Sequence, residues 1–129
     1  MLRDFFTVLM TPETLQSIAF RWFEAFNTKQ LDKLLSLYDE EAQHFSPKLK
    51  IHQPETKGLV VGKDAMRAWW QDAFNRLPSL HYKVTSLTAN SDRIFMEYIR
   101  QVDGEEDMLV AEVLDVKNGK IIASRVYHG

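Results

Sequence analysis

A chain of 129 residues, 45% hydrophobic and 26% charged, has the length and composition of one globular domain with a substantial core. Its net charge of −2 argues against a nucleic-acid binder, which needs a basic face, and no apolar run approaches the roughly 18 residues of a membrane span. The absence of cysteine excludes disulfides, thiolate metal sites and cysteine nucleophiles, and suits a cytoplasmic protein.

Residues 1–10, MLRDFFTVLM, read as an apolar N-terminal arm. Asp4 interrupts the segment and no small-residue cleavage site follows, so packing is the expected role rather than secretion. Residues 11–129 form the domain. Thr11-Pro12-Glu13 predicts a helix start, with Thr11 as cap and Pro12 at the first position. Leu15, Ile18, Ala19, Trp22, Phe23 and Phe26 then recur at helical spacing to about Asn27. A second helix is expected from Gln30 to Tyr38, followed by a solvated acidic turn at Asp39-Glu40-Glu41.

Ala42 to Ser46 reads as a strand ended by Pro47. The segment Lys48 to Val61 holds two β-like runs, KLKIH and LVV, and predicts a hairpin or irregular arm. Gly62-Lys63-Asp64 opens a third helix whose face carries Met66, Trp69, Trp70, Ala73 and Phe74. Beyond Pro78 the period falls to two, giving strands near 80–89, 93–102, 107–116 and 120–128. Asn118-Gly119 is a strong hairpin signal, because both residues tolerate the positive φ of a type I′ turn. Helices followed by an antiparallel meander define an α+β fold.

The runs RWFEAFNTKQLDKLLSLYDEEAQHFSP, GKDAMRAWWQDAF and NGKIIASRVYHG resemble the SnoaL-like polyketide-cyclase and ketosteroid-isomerase group of the nuclear transport factor 2-like superfamily. The resemblance spans nearly all of the chain after Pro12. It implies a cone: a curved mixed β-sheet, three helices on its concave face, and a pocket between them. Isomerases, dehydratases, hydrolases, cyclases and non-catalytic binding modules share this scaffold, so function must come from the site. Homodimers through the outer sheet face are common in the group. No cofactor is implied, and the expected partner is a small molecule.

With that orientation, alternation along strands places Ile122, Ser124, Val126 and His128 inward on the last strand, and Val110, Glu112 and Leu114 inward on the one before. The same reading turns Phe95, Glu97 and Ile99 inward, with His44 and Ser46 on the first strand and Trp22 and Trp69 on helices. The expected acid–base group is Glu112 and His44, oriented by Glu97 and His128. The expected pocket wall is Trp22, Ser46, Trp69, Phe95, Val110, Leu114 and Ser124. Two carboxyls in an apolar cavity raise each other's pKa, which equips them for proton transfer. With the register off by one, Glu97 would instead be a buried ion-pair member with Arg100 or Arg125, and Glu112 with His128 can also form a purely structural pair.

Residue by residue, the chain departs from ketosteroid isomerase. The tyrosine of the isomerases' first helix falls on Trp22, and their general-base aspartate falls on Ser46. Only the protonated aspartate keeps a carboxyl group, as Glu112. The carboxylate that cyclases of this group carry near the end of the last strand has His128 and Gly129 in its neighbourhood. Steroid isomerisation is therefore disfavoured. No local spacing supports a metal site, His52 and His81 read as surface residues, and Trp70 reads as core.

Overall fold

The structure is a computed structural model that describes residues 10–128. All but Met10 of the expected N-terminal arm lies outside these residues. Helix α1 spans Pro12–Asn27, with the Thr11 side chain accepting from the backbone N–H of Thr14. Its stripe, from Leu15 through Trp22 to Phe26, is buried almost completely. Each such large side chain contributes about 1.5–3 kcal/mol by leaving water.

Helix α2 is shorter than expected, Leu31–Ser36, and strand β1 begins at Tyr38 and runs to Phe45. The three carboxylates 39–41 therefore lie exposed along β1, not on a turn. Tyr38 pairs with Ile121 and is fully buried, so core burial at the sheet's start overrides its helical spacing. The KLKIH run is also not a strand: it lies in helix α3, Pro47–His52, with Ser46 as cap accepting from Lys48 N–H. Capping and Pro at the first position decide this segment, because both satisfy or remove otherwise orphaned helix donors. A 3-10 turn, Pro54–Thr56, leads to β2, Leu59–Val61, and then to α4, Lys63–Arg76.

Strands β3 (His81–Ala89), β4 (Arg93–Gln101), β5 (Met108–Lys117) and β6 (Lys120–His128) follow as a meander. Asn118 and Gly119 both have positive φ, at 51° and 78°, as the tight turn between β5 and β6 requires. The six strands lie in the order β2-β1-β6-β5-β4-β3, and the single parallel pair, β1 with β6, makes the sheet mixed. Register shifts in β1, β3 and at Asp115/Val116 bend the sheet into a cone wall. The core fills the space between this wall, α1, α2 and α4.

Pairing register fixes which side chains look inward. Met96 faces Glu112 and Tyr98 faces Val110 across β4 and β5, so Ile94, Met96, Tyr98 and Arg100 share the buried face with Val110, Glu112 and Leu114. Phe95, Glu97 and Ile99 consequently point to the outer face, contrary to expectation. Phe95 is 44% exposed. On β6 an extra residue at the Asp115/Val116 shift puts both Ile121 and Ser124 inward and leaves Ile122 exposed.

Candidate functional site

A cavity of about 250 Å³ opens between α1, α3, α4 and the concave sheet face. Its apolar wall is aromatic. Trp22, Phe26, Tyr82 and Tyr98 form a stacked series, with Phe26 to Tyr82 at 4.2 Å and Tyr82 to Tyr98 at 4.1 Å between ring centroids. Trp69 and Trp70 close the α4 side, and Trp70 also packs on His44, its ring 5.1 Å away.

Two polar constellations reach into this wall. In the first, Trp22 Nε1 donates to Tyr38 Oη at 3.1 Å, Tyr38 Oη donates to Ser124 Oγ at 3.1 Å, and Ser124 Oγ lies 2.7 Å from His44 Nδ1. The hydroxyl hydrogen of Ser124 has no other acceptor among the described residues. The arrangement that satisfies every donor therefore sends it to Nδ1 and leaves the His44 ring proton on Nε2. Burial holds His44 down to about 4, so the imidazole is neutral.

In the second constellation Tyr98 Oη donates to Glu112 Oε1 at 2.8 Å. Glu112 Oε2 is buried and has no hydrogen-bond partner among the described residues. Burial pushes the Glu112 carboxyl up to about 8, with the Tyr98 hydrogen bond as a partial offset. At neutral pH Glu112 is thus predominantly protonated, and its free hydroxyl is a donor in search of an acceptor. One strand, β6, separates Glu112 from His44, so the two approach the cavity from positions about 10 Å apart across the sheet.

Of the expected site residues, His44, Glu112, His128, Trp22, Ser46, Trp69 and Val110 line the cavity. Leu114 and Ser124 are buried behind it, Ser124 as support for His44. Phe95 and Glu97 lie on the outer face, because β4 pairs with β5 in the register that makes Met96 and Tyr98 the neighbours of Glu112 and Val110. Glu97 is not in the expected ion pairs either, since Arg100 binds Glu105 and Arg125 binds Asp115. The bonding partner of Glu112 is Tyr98, not His128. Trp70 lines the cavity as well as packing in the core, and His52, though exposed, stands at the mouth.

The residues missing from the expected site are Tyr38, Tyr82, Tyr98, Arg100 and Lys48. Tyr98 and Arg100 follow directly once β4 is in register. Tyr38 was concealed by helical spacing, and Lys48 by reading α3 as a strand. Among the described residues no three His, Asp or Glu side chains gather to hold a metal ion.

Helices packed on the concave face of a curved mixed sheet give this chain the fold of nuclear transport factor 2-like proteins. The chain belongs to the SnoaL-like domain family, which it matches over residues 19–124. Its fold is similar to that of a SnoaL-like protein of unknown function from Burkholderia thailandensis, 24% identical over 95% of this chain and 99% of that one, with a TM-score of 0.83. An NTF2-like protein from Anabaena variabilis is similar at 20% identity over 91% and 87% of the two chains, with a TM-score of 0.73. A protein of ketosteroid isomerase-like fold from Catenulispora acidiphila, solved with trimethylamine, matches at 16% identity over 85% and 83%, with a TM-score of 0.68. Among curated proteins none matches the sequence significantly.

Proposed function

We propose that this chain binds a small, largely apolar or aromatic molecule in the cone cavity and acts on it by cofactor-free acid–base chemistry of the isomerase, dehydratase, cyclase or hydrolase type. The observation that carries this reading is Glu112, a carboxyl group lining an aromatic cavity whose Oε2 is buried and, among the described residues, unpartnered. An orphaned buried polar group costs about 1–3 kcal/mol, and a ligand oxygen that accepts from it removes that cost. In this scheme Glu112 gives a proton to the oxygen of the ligand, while neutral His44 donates from Nε2 to oxygen on which negative charge develops. A carboxyl pKa near 8 is well matched to general acid work at neutral pH. The volume limits the ligand: a 150 Å³ cavity takes benzene, so about 250 Å³ suits a substituted single ring and is too small for a steroid.

The test is a thermal-shift screen of small aromatic and terpenoid-like compounds on wild type and Glu112→Gln, followed by product analysis of those that bind. Binding stabilises the folded state by mass action, about 2.7 kcal/mol at a hundredfold excess over Kd. Glu112→Gln should still bind but lose turnover. Turnover at the wild-type rate in that variant would overturn the assignment.

A second reading is supported by the position of Glu97. With Glu97 outside, Glu112 is the one carboxyl group deep in the cavity, which favours a binding domain without catalysis. Tight binders that emerge unchanged from prolonged incubation would select this reading. We further propose that a second copy covers the outer sheet face, and that the cysteine-free chain works in the cytoplasm.

A further inference from the structure

Resting on the reading of the cavity as a small-molecule site, we propose that Arg100, Lys48 and His128 at its mouth select a ligand that carries a carboxylate. Its aromatic body then fills the space behind.

Arg100 is the anchor. Its residue is 8% exposed, yet among the described residues its guanidinium makes one hydrogen bond, from Nη1 to Glu105 Oε1 at 2.8 Å. An arginine built into a wall with most of its donor fork unused presents the planar pattern that a carboxylate accepts in bidentate fashion. Lys48, on the first turn of α3, lines the same mouth, and its charge, like that of Arg100, acts on Glu105. His128 ends β6 beside them. Burial first, and then the charges of Lys48 and Arg100, hold its imidazole below the usual range. Among the described residues the carboxylate facing this group is Glu105, on the exposed loop between β4 and β5. The described residues of the mouth therefore carry excess positive charge although the chain as a whole is at −2.

Distance makes the two ends of the cavity complementary. Arg100 stands four residues beyond Met96, the pairing partner of Glu112, or about 13 Å along the strand between backbone positions. Both residues line the same cavity. The fitting ligand is a small aromatic or alicyclic acid with its carboxylate on Arg100 and a second oxygen at the far end accepting from Glu112. Ordering of charge in this way gives orientation: the carboxylate stays at the mouth on Arg100, and the second oxygen is carried inward to Glu112.

The experiment measures Kd for isosteric acid and amide pairs, benzoate with benzamide, 4-acetylbenzoate with 4-acetylbenzamide, and 2-naphthoate with 2-naphthamide, on the full chain. The acids should bind about tenfold more tightly than the amides, in line with a hydrogen bond to a charged group, and lose that advantage at high salt. Arg100→Met should abolish the preference while leaving amide binding within about twofold. Glu105→Gln, at an exposed loop residue, should tighten acid binding by removing the competing carboxylate, and so tests the proposal even where Arg100→Met does not fold. Equal binding of acids and amides by wild type overturns the carboxylate selection and leaves the cavity reading standing. Binding of neither class by wild type overturns both.

Discussion

Tyr98 and Glu112 are diagonal neighbours on adjacent strands, and the phenol donates to Glu112 Oε1 at 2.8 Å while Oε2 stays unpartnered. The pair commits one carboxyl oxygen to the fold and leaves the other buried and, among the described residues, without a hydrogen-bond partner. Because the phenol favours the charged carboxylate, Tyr98→Phe should raise the Glu112 pKa above about 8. It should also cost roughly 1–3 kcal/mol, since Oε1 is then left bare. A carbon-13 titration of the Glu112 carboxyl in both proteins reads the shift directly, and a downward movement would contradict the assignment.

The same carboxyl makes folding stability depend on pH. Glu112 is raised from an unfolded value near 4.5 to about 8, so its contribution is complete below the unfolded pKa and is lost as pH rises through the folded one. His44, lowered from 6.5 to about 4, has the opposite sign: stability falls as pH drops from 6.5 toward 4. The two oppose each other between pH 4.5 and 6.5. From pH 6.5 to 8 only Glu112 acts, and stability should decline by roughly 2 kcal/mol. Urea unfolding across that window should show the decline in wild type, and a flat profile in Glu112→Gln.

Ser124 supports His44 from behind the cavity, so its removal separates positioning from packing. Ser124→Ala deletes the acceptor of Tyr38 and the partner of His44 Nδ1 in one step. The expected loss is about 1–3 kcal/mol. The nitrogen-15 shifts of His44 should also move from a single Nε2–H tautomer toward a mixture. An unchanged tautomer would mean that the ring is held by its packing on Trp70 alone.

Gly58 is fixed by geometry rather than by chemistry. Its φ is +89°, and a Cβ there would come within 2.8 Å of Phe45 and 3.2 Å of the Ser46 carbonyl oxygen. Gly58→Ala should therefore destabilise by about 2 kcal/mol or more, from left-handed strain plus overpacking. Because Ser46 N–H donates to Gly58 O, the effect should extend to the α3 cap, visible as faster amide exchange at Lys48.

The sequence made much of this legible. The α1 stripe and the Asn118-Gly119 turn could be read from it, and the inward positions implied by the family resemblance placed Val110, Glu112 and His128 on the inner face. The turn alone would pair Glu112 with Arg125, and the shift at Asp115/Val116 brings Val126 opposite it instead. Register across the longer loop 102–107 is not fixed by such a turn. Both faces of β4 are apolar, with Ile94, Met96 and Tyr98 on one and Phe95 and Ile99 on the other, so alternation alone cannot choose between them. Glu97 and Phe95 were misplaced for that reason, and Tyr98 and Arg100 were missed with them. The bulge at Ile122 is similarly silent, since an extra residue in one strand leaves no mark in hydrophobic alternation.

The outer sheet face carries the last prediction. Leu109 is 52% exposed, Tyr127 50% and Phe95 44%, and register places them around Ala111 and buried Val113 on a single surface. A sheet apolar on both faces calls for a second covering layer. A copy of the chain related by a twofold axis would supply one, since such an interface is the same patch on both subunits. Sedimentation velocity should find a dimer at micromolar concentration, and Leu109→Glu should convert it to monomer by placing a charge in the apolar centre. The variant should keep its cavity, so ligand-induced stabilisation should match that of wild type. A wild-type monomer at 100 times that concentration, roughly the range in which even weak interfaces of about 1,000 Å² assemble, would show that this face has no second copy on it.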